Sequence, residues 1–188
     1  MSPKKSPNLP ATYLALLRGI NVGGKHILPM QRLAEIFAEA ECADVRTYIQ
    51  SGNVIFTSRS PDIGELAACI ADKVEQRCGF GCPVILRTMD QMVQTVRANP
   101  FLSAGVPEKT LYMYFLADLP DASAIKGLDP LRSTPDAFQV VGRQVYLHLP
   151  NGMARTKLTN GYFDSKLSTV STARNWGTVT TLVEMMQR

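Results

Sequence analysis

Histidine and cysteine are scarce in this chain of 188 residues, which contains two histidines and four cysteines. No C-x-x-C pair is present, and Cys78 and Cys82 are one residue too far apart for a zinc knuckle. Four cysteines in this length are also too few for a disulfide-rich scaffold. We therefore expect reduced thiols in a cytoplasmic protein, with no metal and no cofactor.

Long apolar runs are missing as well. Leu111–Leu116 is among the longest, and it falls far short of the roughly 20 residues that a membrane-spanning helix needs. The opening segment Met1–Pro10 has no apolar stretch, so no signal peptide is predicted. Its Ser, Pro and Lys content predicts a disordered tail over residues 1–10. We expect no contact with a membrane.

Neither sign of charge dominates the sequence. Lys and Arg number 20 against 16 Asp and Glu, which gives a net charge of +4. A nucleic-acid-binding surface would need the basic residues gathered on one face. With 45% hydrophobic residues, the chain is not disordered overall and is long enough for one or two domains.

The first half alternates strand and helix patterns. Apolar runs predict strands over Thr12–Arg18, Val45–Ile49, Val54–Thr57 and Val84–Leu86. One helix begins at Pro29 and carries apolar residues at helical spacing. A second is predicted to be capped by Ser60 and ended by Gly79. The order β-α-β-β-α-β over residues 11–88 is the split βαβ, or ferredoxin-like, unit.

The second half repeats this order less clearly. A linking helix and loop over 89–109 precede strands at 111–117, 138–141, 144–149 and 170–174 and helices at 121–128 and 157–167. Asn175 is the predicted cap of a final helix. We therefore predict an α+β protein, a tandem duplication of ferredoxin-like units with antiparallel sheets over 11–88 and 110–188, plus a C-terminal helix.

A binding edge is predicted in the first unit. The loop after the first strand and the hairpin turn between the second and third should lie at the same edge of the sheet, since the strand directions alternate. This edge collects polar, basic and glycine residues, namely Arg18, Asn21, Gly23, Gly24, Lys25, Gln50, Ser51 and Asn53. Free backbone N–H groups in such a loop can hold an anion. Alternatively, the glycines only permit positive φ angles.

The segment Gly19–Lys25 also matches the spacing G-x-x-x-x-G-K of a nucleotide-binding loop. The next residue is His26, so the Ser or Thr hydroxyl that holds magnesium is absent. The predicted hairpins also contradict the parallel sheet of that fold. A nucleotide kinase or NTPase is therefore not expected.

A second candidate group lies near the C-terminus. Arg174, Asn175 and Trp176 precede the last predicted helix, where an anion would gain from the helix dipole. Arg174 beside Trp176 could also stack on a base or sugar. The alternative is that Trp176 anchors the core and Arg174 forms a structural bridge. These residues would form the other side of a binding groove if the two halves pack face to face.

Three sequence stretches resemble the DUF1697 family of uncharacterised bacterial proteins. They are LLRGINVGG at 16–24, YIQSGNV at 48–54 and T-x-RNW-x-TV at 172–179. The resemblance spans residues 12–186. It implies a duplicated ferredoxin-like α/β protein and no particular reaction, since none is assigned to the family.

Three functions stay open. The first is a binding protein whose basic edge takes an anionic small molecule or a nucleic-acid segment. The second is an enzyme acting on a phosphorylated or carboxylated substrate, although no catalytic motif is present. The third is a protein or RNA interaction module, and oligomers are possible. RNA would need exposed aromatic residues on central strands, for which Tyr13, Tyr48 and Phe56 are the candidates.

Overall fold

Two four-stranded antiparallel sheets organise the chain, one in each of two units. The structure is a computed structural model, and it describes residues 9–60 and 62–188. Unit 1 contains residues 9–89 and Met185–Arg188, and unit 2 contains Asp90–Glu184. Of the tail predicted over 1–10, residues 1–8 lie outside the described chain.

Unit 1 has the predicted order of elements. They are β1 (Ala11–Leu17), α1 (Met30–Glu39), β2 (Ala43–Tyr48), β3 (Asn53–Ser58), α2 (Ile63–Cys78) and β4 (Val84–Thr88). The strand order in the sheet is β2-β3-β1-β4, and every pairing is antiparallel. The split βαβ topology is confirmed.

Unit 2 repeats this topology. Its elements are α3 (Met89–Arg97), β5 (Leu111–Leu116), α4 (Ala122–Lys126), β6 (Ala137–Val141), β7 (Gln144–His148), α5 (Asn160–Leu167), β8 (Ser171–Asn175) and α6 (Trp176–Met186). The strand order β6-β7-β5-β8 corresponds to that of unit 1, again with antiparallel pairings. The duplication and the C-terminal helix are confirmed. The strands form antiparallel sheets, unlike the parallel sheet of a nucleotide kinase.

The duplication extends to individual residues. Arg87 pairs with Leu14 in the first sheet, and Arg174 pairs with Met113 in the second. Both arginines are buried, and each donates a hydrogen bond from Nη1 to the carbonyl oxygen of the residue before it. The two strands β4 and β8 therefore carry an equivalent buried arginine, although the flanking sequences differ.

The helices of unit 1 cover one face of its sheet. Leu33, Ile36 and Phe37 of α1 are buried with Leu66, Ile70 and Val74 of α2. They form one core with alternate residues of the strands, including Tyr13, Ala15, Val54, Phe56 and Leu86.

The start of α2 differs from the prediction. Asp62, not Ser60, is the N-cap residue, and its side chain accepts a hydrogen bond from the backbone N–H of Glu65. An Asp followed by Glu three residues later has the spacing of a capping box, which outweighs the Ser-Pro signal. The predicted end is confirmed, because Gly79 closes α2 in the left-handed conformation.

Helices lie on both faces of the sheet of unit 2. Tyr162, Phe163 and Leu167 of α5 pack with Val145 and Leu147 on one face. On the other face, α3 contacts β7, because the Tyr146 hydroxyl donates to the carbonyl oxygen of Thr95. The helix predicted as a linker over 89–98 exists, and it packs into unit 2.

Candidate functional site

The loop after β1 folds into a small protruding hairpin. Val22 and Lys25 form an isolated β-bridge, and the N–H of Lys25 donates to the carbonyl oxygen of Val22. Gly23 and Gly24 both have positive φ angles, 59° and 72°, which suit a type I′ turn. The glycines therefore build a tight turn that presents the exposed side chain of Lys25.

Asn21 ties this loop to the hairpin turn that follows β2. Its side-chain Nδ2 donates to the carbonyl oxygens of Gln50, at 2.8 Å, and Leu28, at 3.0 Å. Its Oδ1 accepts the N–H of Leu28 at 2.8 Å. The predicted proximity of the two segments is confirmed, and the Asn21 amide serves to join them.

The turn itself is held by Gly52 and Asn53. A Cβ at Gly52 would lie 2.7 Å from Cβ of Leu17, and the φ angle there is +73°. Asn53 is fully buried, and its Nδ2 donates to the carbonyl oxygen of Tyr48 and to Oγ of Ser51. These residues shape the turn and leave Gln50 exposed.

A third loop, between α2 and β4, completes the surface. The N–H of Arg18 donates to the carbonyl oxygen of Pro83, and the Cys82 thiol lies 3.4 Å from the carbonyl oxygen of Arg18. The ring of His26 stacks on the ring of Phe80. We call the joined segments 18–29, 49–52 and 79–83 the basic loop cluster.

The basic loop cluster contains Arg18, Lys25 and His26 and no acidic residue. Next to it, α1 begins after Pro29 without a side-chain cap and without an acid in its first turn. A helix N-terminus of this kind carries a partial positive charge. Arg32, in the first turn of α1, donates to the carbonyl oxygen of Arg77 at the end of α2.

The C-terminal candidates lie in unit 2. Arg174 is 7% exposed and donates to the hydroxyl of Thr172 and the carbonyl oxygen of Ala173. Asn175 caps α6 as predicted, since its Oδ1 accepts the N–H of Thr178 at 2.7 Å. Trp176 is 1% exposed. These contacts suit structural roles, and a second side of a ligand groove at these residues stays a prediction.

Two of the three strand aromatics suggested for RNA binding are buried. Tyr13 and Phe56 are buried in the core formed with α1 and α2, with ring centroids 5.7 Å apart. Phe56 also packs edge-on against Phe37. Of these three candidates, only Tyr48, at the edge strand β2, is partly exposed. Stacking of bases on central-strand aromatics would require these core rings to be exposed.

A cleft at the opposite end of unit 1 was missed by the sequence analysis. It has a volume of about 660 Å³ and includes Glu41, Asp44 and Glu65 among its lining residues. Glu41 and Asp44 both have left-handed backbone conformations, and Asp44 lies at a β-bulge and accepts a hydrogen bond from Thr57. No sequence signal marks this cleft, because its acids come from separate elements.

A smaller groove of about 320 Å³ lies in unit 2 between α3 and the β6–β7 hairpin. Tyr146 lines it, and burial raises the pKa of this tyrosine to about 12. Gln144 donates from Nε2 to the Thr95 hydroxyl, which ties the hairpin to α3. The groove depends on α3 joining unit 2, which the sequence pattern did not indicate.

The four cysteines are free and differ in accessibility. Cys42 and Cys82 are buried, Cys69 is exposed, and Cys78 is intermediate. Burial, assisted by the nearby Cys69, raises the pKa of Cys42 to about 11. In the described part of the chain, no group of three or more His, Cys, Asp or Glu side chains is placed to hold a metal ion. None of its helices has the length and apolarity to cross a membrane.

Comparison with known proteins gives a family and a fold. The profile of a family described as "Protein of unknown function (DUF1697)" matches residues 11–146. A solved structure of a conserved bacterial protein from Streptococcus pneumoniae superposes with a TM-score of 0.76 at 18% identity, covering 96% of this chain and 100% of that chain. At this identity the similarity shows the fold alone. No curated protein matches the sequence.

Proposed function

We propose that this chain, which belongs to the DUF1697 family, is a binding protein whose basic loop cluster takes an anionic ligand, either a small molecule or a segment of nucleic acid. The family has no assigned reaction, so the support for the proposal is the geometry. The observation that carries it is that three loops are hydrogen-bonded into one surface, that the first of them carries Arg18, Lys25 and His26, and that none of them contains an acid.

Lys25 is the residue best placed to attract the ligand. It is exposed beside a two-glycine turn, so its ammonium group is accessible to an anion. Arg18 emerges at the end of β1 and is partly exposed. The uncapped start of α1 adds a favourable interaction of roughly 0.3–1 kcal/mol for an anion nearby. The absence of acids in these loops leaves this positive potential uncancelled.

Two other predicted residues, Asn21 and Asn53, support the surface together with Gly52. The side-chain amides of Asn21 and Asn53 hold the backbone of the two loops through hydrogen bonds. Gly52 contributes because the turn leaves no room for a Cβ atom. Because both amides donate to backbone carbonyl groups, we assign Asn21 and Asn53 positioning roles. Such preorganisation lowers the conformational cost of binding.

Titration of the purified protein with inorganic phosphate, tripolyphosphate and a short oligonucleotide tests the proposal. The midpoint temperature of thermal unfolding should rise when a ligand binds, since a ligand at about 100 times its Kd adds roughly 2.7 kcal/mol of stability. The double variant Arg18→Ala/Lys25→Ala should lose the shift. Lys126→Ala, which removes an exposed lysine from unit 2, is the matched control and should keep it. Unchanged binding by the double variant would refute the proposal.

A further inference from the structure

The ring of His26 is held in a fixed orientation on the surface of unit 1. It stacks on Phe80 with ring centroids 4.5 Å apart and an interplanar angle of 14°. Its Nδ1 lies 3.2 Å from the carbonyl oxygen of Gly19. The residue is nevertheless exposed, and its backbone has a φ angle of 49°. A ring that is both ordered and exposed contributes little to the core and is available to a ligand.

Phe80 connects the His26 ring to the core. It is partly buried and packs against the core of unit 1. His26 is therefore the outer layer of a two-ring stack whose inner layer is anchored. A third planar group can extend such a stack at low entropic cost, because the protein rings are already in place.

The positive charge near the two stacked rings favours a third planar group that carries negative charge. Lys25 precedes His26 in the chain and is exposed, and the three loops of the cluster contain no acid. A planar ligand that also bears a phosphate would satisfy both features of the surface. Aromatic side chains beside cations bind bases and phosphates in this way in single-stranded nucleic-acid sites.

We propose that the His26 ring stacks on a nucleobase whose phosphate is bound by Lys25 and Arg18. The ligand class of the basic loop cluster is then a nucleotide, either free or within a single strand. This inference rests on the proposed function, because it assigns the anion of that site to a phosphate with an attached base.

Isothermal titration of the full chain with ribose 5-phosphate and with AMP at low salt tests the base contact. AMP should bind roughly tenfold more tightly, as stacking on one ring predicts. His26→Asn removes the ring, and Asn is tolerated in the left-handed region. This variant should bind the two ligands equally, while His26→Tyr, which keeps an aromatic ring, should retain the preference for AMP.

The outcomes separate the two proposals. Equal binding of AMP and ribose 5-phosphate by the wild-type chain would overturn the base contact and leave anion binding standing. A preference for AMP that survives in His26→Asn would overturn it as well. Failure of both ligands and of tripolyphosphate to bind would overturn both proposals. If the preference depends on His26, a six-nucleotide oligoadenylate that binds more tightly than AMP supports a single-strand ligand, and equal affinity supports a free nucleotide.

Discussion

The side-chain amide of Asn21 bridges two loops by donating to the carbonyl oxygen of Gln50, 29 positions along the chain, at 2.8 Å. The same side chain makes two further hydrogen bonds, one in each direction, with the backbone of Leu28. A single amide thus holds the hairpin with Lys25 beside the turn with Gln50. The geometry of the basic loop cluster depends on this contact.

Removal of the Asn21 amide should destabilise unit 1 and weaken anion binding. Asn21→Gly keeps a residue suited to the φ angle of 55° while deleting three hydrogen bonds. We expect a loss of about 1–3 kcal/mol in urea unfolding, because backbone groups of Leu28 and Gln50 lose their partners. Asn21→Ala should cost more, since alanine is strained at positive φ. A glycine variant as stable as the wild type would contradict this role.

A methyl group should be tolerated at Gly79 far better than at Gly52. Both glycines have φ angles near +75°, but a Cβ at Gly79 meets nothing within 4 Å, whereas at Gly52 it lies 2.7 Å from Leu17 Cβ and 2.9 Å from Ile20 Cδ1. We expect Gly79→Ala to cost about 1 kcal/mol. Gly52→Ala should cost about 2–4 kcal/mol, because the steric clash adds to the backbone strain. Chemical denaturation of the pair measures the difference, and equal losses would rule out the close packing.

Replacement of Glu41 by glycine should stabilise the protein. Glu41 has a φ angle of 59° just after α1, and the N–H groups of Glu41 and Cys42 donate to the carbonyl oxygens of Ala38 and Phe37. This is the Schellman pattern, in which glycine is the favoured residue. Glu41→Gly should raise the free energy of unfolding by about 1 kcal/mol. Glu41→Ala removes the same charge without relieving the strain, so a similar gain in that control would assign the effect to charge.

Stability should fall in alkaline solution through Tyr146. Burial raises its pKa from 10.0 to about 12 in the folded chain, and its hydroxyl donates to the carbonyl oxygen of Thr95. The unfolded chain therefore releases this proton first. The contribution of this hydroxyl to the free energy of unfolding is complete below pH 10. It is lost as the pH rises towards 12, by up to about 3 kcal/mol.

Tyr146→Phe isolates this contribution. The variant should be less stable by about 1 kcal/mol at neutral pH, because the Thr95 carbonyl loses its donor. Its stability should decline less steeply than that of the wild type between pH 10 and pH 12. Tyr48→Phe, at the edge strand of unit 1, controls for the loss of a tyrosine. Parallel pH profiles for the wild type and Tyr146→Phe would show that burial of this hydroxyl does not matter.

Much of the fold is encoded locally and could be predicted. The strand and helix order follows from apolar periodicity, and the ends of elements follow from residues such as Gly79 and Asn175, whose conformation or capping bond involves only near neighbours. The proximity of the loop at Asn21 and the turn at Gln50 also followed, because alternating strand directions determine which loops share a sheet edge. The equivalence of Arg87 and Arg174 could not be predicted from the sequence, because the two residues are related by their strand register and not by a sequence repeat.

The sequence by itself determined the element order, the duplicated antiparallel topology and the edge at which the basic and glycine residues collect. Only the tertiary structure decided what each side chain does there. The amide of Asn21 supports the loops because the carbonyl oxygen of Gln50, in another segment, accepts its hydrogen bond, and the exposed ring of His26 is stacked on Phe80 of a third segment. Such roles depend on contacts between residues distant in the chain, whereas propensity and periodicity report only on neighbours.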